Sequence, residues 1–264
     1  MIRLIGAASL ILVTVVLVNA DAGDGKSAAF KPILSSDDFK ELSKRSIATI
    51  ESIAKSSAKD AAEKCEAEAA ILIGYTLSVK NDDDVAKVRG AAIQAVKTAR
   101  KGDVKALKDF GTKIANATKA PAEVKDWKTH LNELQWMMEN FRGKAKGGEG
   151  LHADLQYVQK LKNLNGTEAF LGAIAGKKLS GENFEKIQKE LPNFAYRVAV
   201  MGSITHEFAP AKDAAQWREL AAQMRDSAVA VAAAAQKKDA DGMFKAAQAL
   251  ENTCTKCHTV FKKN

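Results

Sequence analysis

The sequence has little of what ends, staples or stiffens a chain. Four prolines among 264 residues leave long stretches uninterrupted, and aromatic side chains make up only 6%. Few β-branched or aromatic runs, set against many alanines, lysines and glutamates, exclude a sandwich or a barrel. A hydrophobic share of 46% excludes a disordered chain. Three cysteines are too few for a disulfide scaffold. Beyond the N-terminus no run approaches the ~18 apolar residues that span a bilayer. The remaining class is an all-α protein, of one or two domains at ~100 to 200 residues each.

The N-terminus differs from the rest. Met1-Ile2-Arg3 is a short basic start, residues 4–18 are almost unbroken apolar, and Val18-Asn19-Ala20 ends on the small residue a signal peptidase reads. This pattern predicts a secretory signal over residues 1–20, cleaved so that the mature chain begins near Asp21; an uncleaved anchor is the alternative. An exported, periplasmic protein with no integral membrane segment after cleavage follows. The formal net charge is +8, and cleavage removes only Arg3 from it. The lysines are scattered along amphipathic stretches without an aromatic-interleaved cluster, which argues against nucleic acid and for acidic protein partners.

From Ser36 onward apolar positions recur at helical spacing. The breaks predict helices over residues 36–57, 59–79, 83–101, 103–118 and 122–142. A second set covers 150–163, 167–175, 182–190, 192–208, 213–237 and 239–262. Gly143-Lys-Ala-Lys-Gly-Gly-Glu-Gly150 separates the sets and reads as a linker. Two consecutive helical bundles of four-helix type are therefore expected, 21–145 and 146–264. The sets also echo each other: Ala99-Arg-Lys-Gly-Asp103 aligns with Ala235-Gln-Lys-Lys-Asp239 at an offset of 136, which points to a duplication.

Two of the cysteines lie in Cys254-Thr255-Lys256-Cys257-His258. Cys-x-x-Cys-His is the attachment signature of a c-type haem. On a helix, positions i and i+3 share a face, so Cys254 and Cys257 reach the two vinyl groups of one porphyrin edge, and His258 turns an imidazole nitrogen to iron. A zinc site would need further ligands, and Cys65 is isolated. A thioredoxin-like pair would need a βαβ setting. A disulfide across i, i+3 of a helix is geometrically poor. One covalently bound haem c in the second bundle is the expectation. The offset carries Cys254, Cys257 and His258 onto Thr118, Pro121 and Ala122, so the first bundle has no haem motif.

A haem motif of the form Cys-x-Lys-Cys-His-x-x-Phe-Lys at the extreme C-terminus of an alanine-rich helical chain resembles the class II cytochromes c, the cytochrome c′ and cytochrome c556 family. Class I cytochromes carry the motif near the N-terminus instead. The likeness extends to Tyr196-Arg-Val-Ala-Val-Met201, similar to the family's first-helix pattern. It implies that Arg197 approaches a haem propionate and that Met201 faces iron on the distal side. It implies electron transfer. No pairing of a catalytic base with a nucleophile is apparent, so the chain reads as a non-enzymatic protein; Lys256, Lys262 and Lys263 beside the haem edge would steer acidic redox partners, and a homodimer stays open. If Met201 is a core residue and not a ligand, the alternative is a five-coordinate haem protein that binds a small gas, NO or CO.

Matching helix levels across the hairpins puts Met201, Ile204 and His206 within about one turn of His258, with Trp217 between them on the intervening helix. His206 is rotated by ~140° from Met201 and points elsewhere. One departure from the family stands: a single helix fits between Met201 and Cys254 where two are usual. The fourth helix must come from residues 150–190 or from the first half.

Overall fold

Ser35 opens the first helix by accepting a hydrogen bond from the Asp38 N–H at 3.1 Å, and Asp82 opens the third through the Val85 N–H at 2.8 Å. The computed structural model describes residues 30–121, 166–179 and 181–261, together with Met138, Phe141 and Leu155. The expected signal segment, the 143–150 linker and the body of the expected helices over 122–142 and 150–163 lie outside the described residues, as do Lys262 and Lys263. The helices are α1 (Ser36–Lys55), α2 (Ala61–Leu77), α3 (Asp83–Arg100), α4 (Phe110–Ala115), α5 (Thr167–Gly176), α6 (Gly181–Ile187), α7 (Leu191–Glu207), α8 (Ala214–Gln236) and α9 (Ala240–Phe261). Among the described residues, extended pairing is confined to one bridge, Leu34 with Val79. No described helix is long and apolar enough to cross a membrane. The protein is all-α and of helical-bundle type.

Two expected helices differ from their predicted spans. Residues 103–118 form a 3-10 turn, Val104–Leu107, followed by the short α4. Leu107 and Phe110 are both buried, a spacing of three that the tighter turn brings to one side. The first turn of α4 then finds an acceptor on α1, the Gly111 N–H donating to Glu51 Oε1 at 2.9 Å. The helix expected over 182–190 ends at Ile187, where the Glu190 N–H turns back to the Ile187 carbonyl at 2.9 Å.

A helix buried on all sides belongs at the centre of a molecule, and two helices meet that description. Every residue of α2 from Ala67 to Thr76 is buried, and so is every residue of α7 from Phe194 to Thr205 except Arg197. They pack on each other where α2 has Gly74: a Cβ there would lie 2.5 Å from Val200 Cγ1 and 3.0 Å from Ile204 Cδ1. α1 and α3 cover α2, α8 covers α7, and α9 lies along α8 and α5. The described parts of both halves thus feed one continuous apolar core. The missing fourth helix around the motif has two sources, as the sequence allowed: α5 flanks α9, and α2 flanks α7.

The aligned sequences fold alike at their ends. After α3, the Gly102 N–H donates to the Ala99 carbonyl at 2.8 Å and the Asp103 N–H to Thr98 at 3.2 Å. After α8, the Lys238 N–H donates to Ala235 at 3.0 Å and the Asp239 N–H to Ala234 at 2.9 Å. Gly102 and Lys238 both adopt left-handed backbone, φ 74° and 59°. All of these pairs are related by the offset of 136 read from the sequence.

Candidate functional site

The motif occupies the last two turns of α9. That helix starts where the Asp239 carboxylate accepts the Gly242 N–H at 2.8 Å, and it docks through Met243, Ala247 and Leu250, all fully buried. The sequence extends this stripe through Cys254, Cys257 and Phe261. In the structure the buried line passes instead to Thr253, whose hydroxyl donates to the Ala249 carbonyl at 2.9 Å. Cys254, Cys257, His258 and Phe261 are half-buried along its margin. A helix of 3.6 residues per turn drifts against a seam that repeats every 3.5, so after three turns positions 253 and 254 straddle it.

Both motif thiols are free. Burial, reinforced by the neighbouring Cys257, Glu168 and Glu251, pushes the Cys254 thiol up to about 12. Burial also raises that of Cys257. Neither is a low-pKa nucleophile of the kind that exchanges disulfides. Cys65 lies apart, fully buried, its thiol pushed up to about 12 by burial and then by Glu68, and hydrogen-bonded to the Ile50 carbonyl at 3.7 Å.

The height of the site is fixed by one tryptophan. Trp217 on α8 donates its indole N–H to the Thr205 carbonyl of α7 at 2.6 Å, and its ring meets Phe261 of α9 edge-on, centroids 4.9 Å apart. α7 and α9 are both antiparallel to α8 and so run parallel to each other. One turn back from Thr205 is Met201; one turn back from Phe261 is Cys257. Met201 and the Cys254–His258 segment therefore share a level in the bundle. Met201 is fully buried, on the same side of α7 as Phe194, whose ring packs edge-on against Phe170 of α5 at 4.9 Å. Met201 thus lies on the side of α7 that also meets α5, and α5 in turn lies on α9. His206 is elsewhere, beside Glu207, Arg218 and Arg225, its imidazolium disfavoured first by burial.

Arg197, one turn from Met201, makes a two-pronged ion pair with Glu68 of α2: Nη1 to Oε1 at 3.0 Å and Nη2 to Oε2 at 2.6 Å. The Ser46 hydroxyl of α1 donates to the same carboxylate. Glu68 was not among the sequence-derived site residues. Its one local signal is a charge inside the apolar stretch Ala67-Glu-Ala-Ala-Ile71.

The donor set can be tested against the group the motif implies. Among the described residues no three or more His, Cys, Asp or Glu converge on a point where a metal ion would be held. Haem attachment asks for no such convergence: two neutral thiols bond to carbon at the porphyrin edge, and one imidazole meets iron. Two protonated, accessible thiols three residues apart with the imidazole next in sequence satisfy that requirement. Lys256 is exposed beside them. Comparison with protein-family models, curated proteins and solved structures finds no match.

Proposed function

We propose that the chain is an exported, periplasmic monohaem cytochrome of c type, a class II-like electron-transfer protein and not an enzyme. The observation that carries this reading is the Cys254-Thr-Lys-Cys257-His258 segment at the end of one helix, its thiols unbridged, protonated and half-open. Haem bound there supplies reversible one-electron chemistry at iron. Cys254 and Cys257 would hold it through thioethers, and His258 would be its proximal iron ligand. Met201, buried at the same level, would be the distal residue, and its thioether would suit outer-sphere electron transfer. Arg197, one turn away and held by Glu68, is the residue that would approach a propionate. Lys256, with Lys262 and Lys263, steers acidic redox proteins to the exposed edge, so exchange slows as salt rises.

The test is expression of the full chain with its leader beside a competent haem-attachment system. A mass raised by one covalent haem and a reduced low-spin spectrum unchanged by carbon monoxide are expected. A colourless chain at bare-protein mass overturns the reading. Rapid conversion to a carbonyl form instead assigns an open sixth position and a gas-binding protein.

A further inference from the structure

Glu68 is fully buried on α2, in the half of the chain without a haem motif, yet both of its oxygens meet Arg197 on the side of α7 that carries Met201. Burying a carboxylate against a guanidinium that is only partly buried has a desolvation cost, and apolar residues in the same place hold helices together at least as well. What an apolar contact cannot do is fix the net charge beside the site. Arg197 is one helical turn from the residue proposed to face iron, close enough for a change in the charge around it to be felt there.

We propose that Glu68 is a positioning residue: it holds Arg197 and neutralises it beside the haem site, so the first half of the chain sets the reduction potential of the second. This rests on the haem reading given above. Reduction brings one electron from an external one-electron donor protein and removes one unit of positive charge from the site. No bond at Glu68 or Arg197 is made or broken, and no proton moves. With Glu68 ionised the pair is neutral overall. Glu68→Gln removes one negative charge beside the guanidinium, which favours the reduced state.

The experiment is a redox titration of the haem-loaded full-length protein, its Glu68→Gln variant and the Glu68→Gln/Arg197→Gln double variant, each also melted thermally. The single variant is expected to shift the midpoint potential upward. The double variant, with both charges gone, is expected to return toward the parent although its packing is altered more. Equal shifts in the two variants, or melting temperatures that fall while potentials stay together, would mean a purely structural pair and overturn the proposal. If Glu68→Gln does not retain haem, Arg197→Gln supplies the opposite sign: it leaves the carboxylate uncompensated and lowers the potential, and an unmoved potential there is equally fatal. A parent protein without covalent haem fails the reading of the site. A coloured parent whose potential ignores these charges fails only this inference.

Discussion

His206 shows how a residue at the right height can still be outside the site. Its rotation of ~140° from Met201 sends it toward α8, where burial and the charges of Arg218 and Arg225 oppose the imidazolium more than Glu207 supports it. The folded-state pKa is therefore below the unfolded value of about 6.5. Between those two values the unfolded chain binds more protons, so acid favours unfolding and the contribution is lost as pH falls through that window. Urea midpoints measured from pH 7.5 to 5 are expected to decline, and His206→Asn to decline less steeply. Parallel slopes for parent and variant would show that His206 titrates alike in both states.

At the scale of elements, the paired helix ends after α3 and α8 make a two-sided prediction. Both use left-handed backbone at the residue after the cap, but one is Gly102 and the other Lys238. A side chain there costs roughly 1 kcal/mol or more, partly offset because glycine loosens the unfolded chain. Lys238→Gly is expected to stabilise by ~0.5 to 1 kcal/mol, raising the melting temperature by roughly 1 to 4 °C. Gly102→Ala is expected to lower it. Most of this level was legible in the sequence, because caps such as Ser35, Asp82 and Asp239 and the apolar period act locally. The 103–118 segment was misread because its break depends on Glu51 and the α1 surface, more than fifty residues away. The same divide runs through the site. Cys254, Cys257 and His258 declare themselves by spacing within a single turn of helix. Glu68 meets Arg197 across a separation of 129 residues, and no periodicity records that pairing.

For the whole molecule, the sequence suggests two bundles joined by a linker, while the described core runs through α2 and α7 together. That contact is tight at Gly74 and ionic at Glu68–Arg197, and Arg45 of α1 adds a second ion pair to Glu190 at the start of α7. A chain starting at residue 146 keeps the haem motif but uncovers the α7 face that packs on α2, including Val200 and Ile204. It also leaves Arg197 without its carboxylate. Each large aliphatic side chain returned to water forfeits roughly 1.5 to 3 kcal/mol, and a domain's whole stability is only about 5 to 15 kcal/mol. The truncated chain is therefore expected to lose cooperative thermal unfolding and to aggregate. The intact chain should unfold in one transition, with tryptophan fluorescence and far-ultraviolet dichroism changing together in urea. A soluble 146–264 fragment that melts as sharply as the parent would mean the two halves are independent bundles that merely touch. Placing Glu68 in the first half would then give it no purchase on the chemistry of the second.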